Sequence, residues 1–185
     1  METTEEIARR EQPGKELLQK LTKTAADTQK QLRDFKTVQE LQRPIQCKVY
    51  RATTQSLTSG AYPTNVSFSN ASYDTDTHWV IGDPTKITII YAGVYHCVAN
   101  VDISYNATGS RLLEIRVNNT HIIASCDIPA TSDGGTNVRL SCSCDVILAV
   151  GDYVQLSPYQ NAGVALNTNP VGVHMPSLSI RRVSK

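Results

Sequence analysis

Few residues in this chain are typed and spaced for chemistry. Asp74-Thr75-Asp76-Thr77-His78 sets hard oxygen donors at alternate positions of a polar stretch, and calcium prefers such oxygens. The same residues suit a turn, because Asp accepts hydrogen bonds from nearby backbone N–H groups; turn capping is the expectation. His78, His96, His121 and His174 are scattered, and no Gly-x-Ser-x-Gly elbow occurs, so a nucleophile–base pair finds no support. Glu114 is the only Glu after residue 44. Nothing in the spacing suggests the paired carboxylates with which a glycosidase flanks its bond. The chain reads as a non-enzyme with no cofactor and no metal. His96 lies opposite an alternating apolar series and is a candidate for a subunit interface, where a histidine can act as a pH-sensitive group.

The five cysteines are Cys47, Cys97, Cys126, Cys142 and Cys144. Each sits in an alternating apolar series, which favours small buried hydrophobes. A disulfide is the second reading, although the number is odd and Cys142 and Cys144, two apart on one strand face, are awkward partners. A zinc site is the third, without Cys-x2-Cys or paired Cys/His spacing to carry it. Asn-x-Ser/Thr sequons at Asn65, Asn70, Asn106 and Asn118 read as chance in an Asn/Ser/Thr-rich chain. Tyr62, Tyr73 and Tyr159, taken as loop residues, are candidate ligand contacts that would stack on a sugar or anchor a protein. Packing at subunit boundaries is the competing role.

The elements that must position these residues fall into two parts. Residues 1–44 hold 9 of the 18 Lys+Arg and 8 of the 17 Asp+Glu, while all 8 Tyr and the single Trp come later. A domain boundary at Pro44 follows, giving 1–44 and 45–185. Neither part is basic, so no nucleic-acid footprint is expected. No apolar run approaches the roughly 20 residues of a membrane span. The start, Met-Glu-Thr-Thr-Glu-Glu, lacks the basic and apolar regions of a signal peptide, so synthesis and retention in a cytosol until assembly are expected.

Residues 1–12 are polar, and Pro13-Gly14 reads as a break. From Lys15 to Arg43 no Gly or Pro interrupts a run of helix formers, which predicts a helix of about 29 residues and about 43 Å. Leu18, Leu21, Ala25, Thr28, Leu32 and Phe35 follow the 3-4 spacing of a coiled-coil seam, and Val38 and Leu41 then slip the register. One reading is an amphipathic helix lying on its own domain. The favoured one is a parallel oligomeric stalk.

After Pro44 the pattern is that of strands. Leu140, Cys142, Cys144, Val146 and Leu148 alternate with Ser141, Ser143 and Asp145, and Val154 and Leu156 continue beyond Gly151-Asp152. Period-2 alternation places the apolar set on one face, and Gly-Asp is turn chemistry, so a strand–turn–strand unit with one buried face is expected. Further strands are expected at 47–50, 66–68, 79–81, 87–90, 95–105, 113–117, 122–128 and 178–180, with a turn at 132–135. Short strands, frequent turn signals and no internal helix predict a mainly β fold: an antiparallel sandwich, with a jelly roll among the options.

Three features resemble the jelly-roll superfamily of complement globular heads and tumour-necrosis-factor-like cytokines. They are Ala92-Gly93-Val94-Tyr95 before a long strand, Leu148-Ala149-Val150-Gly151-Asp152-Tyr153-Val154-Gln155-Leu156, and a short closing strand. Gly93, Tyr95, Gly151, Asp152 and Val154 are the signature positions. A closer likeness is to knob domains of that type in tailed-bacteriophage structural proteins. It is carried by Ala107-Thr108-Gly109-Ser110-Arg111, Glu114-Ile115-Arg116-Val117-Asn118-Asn119-Thr120, Gly151-Asp152-Tyr153-Val154, Tyr159-Gln160-Asn161-Ala162-Gly163 and Ala165-Leu166-Asn167. The resemblance spans about residues 85–180 and implies a homotrimer packed through one sheet face and central aromatics. The function expected from it is a virion structural protein, a head or tail fibre or spike made in the host cytoplasm. Residues 1–44 would attach to a phage capsid or tail protein, and the knob would project, with a host-surface glycan or protein as its contact. The alternatives are a secreted or cell-surface complement/cytokine-like module and a carbohydrate-binding module.

Overall fold

The computed structural model describes residues 3–130 and 135–184. The chain divides into two units, Met1–Arg43 and Pro44–Lys185. The first is one helix, α1 (Thr4–Gln42, 39 residues). It runs through Pro13 rather than starting after it. A proline removes one i→i−4 bond, and an exposed helix leaves the freed carbonyl to water. The side chains of Leu17, Leu18, Leu21, Leu32 and Phe35 are all more than half exposed. The side chains of Val38 and Leu41, where a register slip is expected, lie outside the described residues, as do residues 132–134 of the expected turn.

Among its described residues the second unit is all β apart from a 3-10 turn at Gly172–His174. Its strands are β1 (Gln46–Tyr50), β2 (Ser56–Leu57), β3 (Asn70–Asp74), β4 (Ile87–Thr88), β5 (Gly93–Ile103), β6 (Ser110–Val117), β7 (His121–Pro129), β8 (Val138–Leu148), β9 (Tyr153–Gln160), β10 (Leu166–Asn167) and β11 (Ser177–Ser184). A five-stranded sheet in the order β3-β1-β11-β5-β8 faces a four-stranded sheet in the order β4-β9-β6-β7, and β10 pairs with β2 beside them. Every pairing is antiparallel. The fold is the antiparallel jelly-roll sandwich preceded by a single N-terminal helix. Between the sheets lie Cys47, Val49, Tyr95, Cys97, Ala99, Leu113, Ile115, Leu148, Val154, Leu156, Leu178 and Ile180, the alternating apolar series of the sequence.

Several details differ from expectation. β8 and β9 are not paired: the Gly151-Asp152 turn carries the chain from one sheet to the other, so their apolar faces oppose each other across the core. Residues 66–68 form no strand, yet Val66 and Phe68 are buried; their N–H groups are met by Leu156 O (2.9 Å) and Pro84 O (2.9 Å) in irregular backbone. Residues 79–81 form none either, because the Trp79 N–H donates to Asp74 Oδ2 at 2.9 Å. On β7 a register shift opposite Ile115/Arg116 turns Ile123 towards the core and leaves Ile122 45% exposed, as an extra residue in one strand must.

Candidate functional site

The signature positions form one end of the sandwich. The Asp152 carboxylate accepts the Ala149 N–H at 2.7 Å and closes the turn. Gly151 holds φ +89 there, with open space around it, so its backbone conformation alone selects glycine. Asn118, at φ 52 in the β6–β7 turn, donates from Nδ2 to Asp152 Oδ1 (2.8 Å) and accepts the Tyr153 N–H at Oδ1 (3.0 Å). These bonds hold the Asp152 carboxyl below its usual range, Asn118 contributing most and the Ala149 N–H next. Val154 is fully buried. Tyr95 is buried too and donates its hydroxyl to Tyr91 O at 2.7 Å. At Gly93 a Cβ would collide with Ser184 O and the Arg182 side chain. These five residues shape the fold and the closure of its turns.

At the opposite end, the Asn106–Arg111 and Tyr159–Gly163 runs meet. The Ser110 N–H donates to Asn161 Oδ1 at 2.5 Å. Arg111, wholly buried, donates to the carbonyls of Asn106 (3.0 Å), Thr108 (3.1 Å) and Ser110 (2.9 Å) and ties that loop down. The runs that carry the sequence resemblance are thus joined turns, distant in sequence and adjacent in space.

Of the three candidate tyrosines, two come together, and two lie on strands rather than loops. Tyr159 is on β9 and Tyr73 on the edge strand β3. Tyr62, in the 58–65 loop, meets Tyr159 edge to face with centroids 5.8 Å apart. Its hydroxyl donates to Glu114, 2.7 Å from Oε2 and 2.9 Å from Oε1, and Arg116 sits over its ring at 5.0 Å. Glu114 and Arg116 form an ion pair at 3.8 Å. Partial desolvation, then the Glu114 hydrogen bond, raises the phenol pKa above its ordinary value, so Tyr62 stays a donor. Both charged side chains are buried, at 4% and 6% exposed. They alternate along β6 with the core residues Leu113 and Ile115 and so lie on its outer face, under Tyr62. Tyr73 stands apart from this cluster, 42% exposed.

The Asp74 loop is a capped turn. Its carboxylate accepts the N–H groups of Asp76 (3.3 Å), His78 (2.9 Å) and Trp79 (2.9 Å). His78 is buried, with Nδ1 2.8 Å from Thr88 O. Among the described residues no group of three or more His, Cys, Asp and Glu is placed to hold a metal. His96 lies on the outer face of the five-stranded sheet, 2.7 Å from Asp145 and directly across from Arg181. All five cysteines are free, Cys47 and Cys97 buried and the others half-buried.

The third feature is an open side. Nine half-buried apolar residues pack against the core among those described. Seven of them, Ile123, Ala124, Cys126, Ile128, Cys142, Cys144 and Val146, lie on β7 and β8. These are the edge strands of the two sheets. Here the core reaches the surface between two unpaired strand edges, a liability that proteins ordinarily cover. Leu18, Leu21, Ala25, Leu32 and Phe35, the expected seam residues, are likewise exposed along α1.

No protein-family model matches this chain, and no curated protein matches it. Solved structures do. The crystal structure of murine APRIL at pH 5.0 aligns with TM-score 0.57 and 13% identity over 76% of this chain and 100% of that one. Eiger TNF from S. frugiperda aligns with TM-score 0.53 and 12% identity over 77% and 95%. The globular domain of zebrafish complement 1qA gives TM-score 0.49 and 17% identity over 77% and 99%. At these identities the likeness is one of fold, and the fold is the tumour-necrosis-factor type of jelly roll.

Proposed function

We propose that this chain is a homotrimeric structural and binding module, not an enzyme, whose copies pack through the open β7/β8 side. The carrying observation is the run of seven half-buried apolar residues along those two edges. A second copy covers them, and three copies related by one heterologous contact close into a ring. The helix adds a stalk: burying Leu18, Leu21, Ala25, Leu32 and Phe35 between three copies removes an exposed seam from water.

The setting we infer is the virion of a tailed bacteriophage, as a head or tail fibre or spike assembled in the host cytoplasm. Residues 1–44 attach to a capsid or tail protein and 45–185 project. This rests on the Ala107–Thr120 and Gly151–Asn167 runs alone. The Tyr62–Tyr159 surface is the candidate contact for a host glycan or protein, where threefold avidity multiplies weak contacts. A second reading, a secreted or cell-surface signalling module, is favoured by the fold likeness to murine APRIL and Eiger TNF.

Light scattering on the full chain and on residues 45–185 tests the assembly. Trimers of both support the open-side reading. A trimer of the full chain alone moves assembly to the stalk, and two monomers overturn it. Detection in purified particles, against detection in a secreted fraction, separates the two settings.

A further inference from the structure

Cys97 on β5 and Cys144 on β8 are direct partners in the antiparallel register. Opposed residues share a face with Cα atoms about 4.5–5.5 Å apart, within the roughly 4.4–6.8 Å that a disulfide spans. The shared face is the core face: Cys97 is fully buried, and Cys144 is half-buried against the same cluster. Both are free thiols. No other cysteine has this relation. Cys142 stands opposite Ala99, Cys47 opposite Ile180 and Cys126 opposite Leu113.

We propose that Cys97 and Cys144 form a dithiol site whose oxidant is a small soluble disulfide, and that the product is a covalent staple between β5 and β8. The Cys144 thiolate attacks one sulfur of glutathione disulfide. A mixed disulfide forms and one glutathione thiolate leaves. Cys97 then loses its proton to solvent, and its sulfur attacks Cys144 Sγ. The Cys97–Cys144 bond forms and the second glutathione departs. Two protein thiols are oxidised and one glutathione disulfide is reduced to two glutathiones.

Burial pushes the Cys97 thiol up to about 12 and raises Cys144 as well. Thiolate is therefore scarce near neutral pH and exchange is slow in the folded chain. The inference stands on strand register and does not need the trimer. Docking through the open side would cover Cys144, which places the exchange before assembly.

The test is to refold the full-length protein in glutathione buffers of rising oxidised fraction, block free thiols by alkylation, and map cross-linked peptides by mass spectrometry. The expected product has two fewer alkylated cysteines and a Cys97–Cys144 peptide. Cys144→Ala should abolish it, and Cys126→Ala should leave it. Five alkylated cysteines at excess glutathione disulfide, or a link made through Cys126 and Cys142, overturns the proposal. The wild-type peptide map decides the matter even if a variant fails to fold.

Discussion

Asn118 and Asp152 join two turns that lie 34 residues apart in sequence, through a 2.8 Å hydrogen bond from Nδ2 to Oδ1. One turn links β6 to β7 within a sheet, and the other carries β8 across to β9. The pair therefore ties the in-sheet connection to the between-sheet connection at one end of the sandwich.

Asp152→Ala removes the acceptor of two hydrogen bonds. The expected loss is about 1–2 kcal/mol of unfolding free energy, read by urea titration. A pH effect accompanies it. The folded carboxyl is depressed, so its contribution is present above the unfolded value of about 3.9 and is lost as pH falls through the lower, folded value. Wild type and Asp152→Asn should therefore converge in stability on acidification below about pH 4. A constant gap at all pH values would contradict the role given to the carboxylate.

Tyr62→Phe should destabilise more than its exposure suggests. It strips the phenol donor from a Glu114 carboxylate that is 4% exposed, and a buried charge without its hydrogen bond costs about 1–3 kcal/mol. Adding Glu114→Gln to Tyr62→Phe should recover part of that loss. The coupling comes from a double-mutant cycle by chemical denaturation, and strict additivity would count against the hydrogen bond.

Gly109→Ala should also be costly. Gly109 sits at φ +79, and a Cβ there would stand 2.6 Å from the Asn161 carbonyl oxygen. Strain in a left-handed conformation plus that collision predicts a loss of about 1–3 kcal/mol. Gly151→Ala, with open space around it, should suffer from conformation alone and lose less. Thermal melts of the two variants give the ranking.

Two substitutions separate the assembly elements. Leu21→Asp with Leu32→Asp places charge in the helix seam and should dissolve stalk association, leaving residues 45–185 unaffected. Val146→Asp places charge on the open β7/β8 side and should convert residues 45–185 to monomers without unfolding them, since Val146 is only half-buried. Sedimentation and far-ultraviolet circular dichroism together read both. Unchanged mass in the Val146→Asp protein would remove the open-side interface.

Period-2 alternation made the long strands legible: β5, β6 and β8 carry an apolar face that no other element produces so regularly. The burial of Arg111, Glu114 and Arg116 was not legible, because charge ordinarily marks the solvent face. The Glu114 carboxylate is met by Tyr62, 52 residues away in sequence, and local pattern holds no trace of such a contact. A lone Glu in a β domain, two residues before an Arg on one strand face, is the signal that was available. The crossing from β8 to β9 was hidden for a related reason: a Gly-Asp turn reads the same whether it joins neighbours or sheets. At Pro13 the local rule overstated its reach, because one missing bond in an exposed helix is tolerable.

The position of β11 bears on how the protein is made. The last of the eleven strands in chain order lies in the middle of the five-stranded sheet, paired with β1 on one side and β5 on the other. Without β11 the sheet would be two halves, β3-β1 and β5-β8, each with a raw inner edge. Completion of the five-stranded sheet therefore waits for β11, is dominated by distant pairings and should be slow for the domain's size. During that interval the unfinished edges, more than anything on the mature surface, are where the chain is open to capture by its own copies.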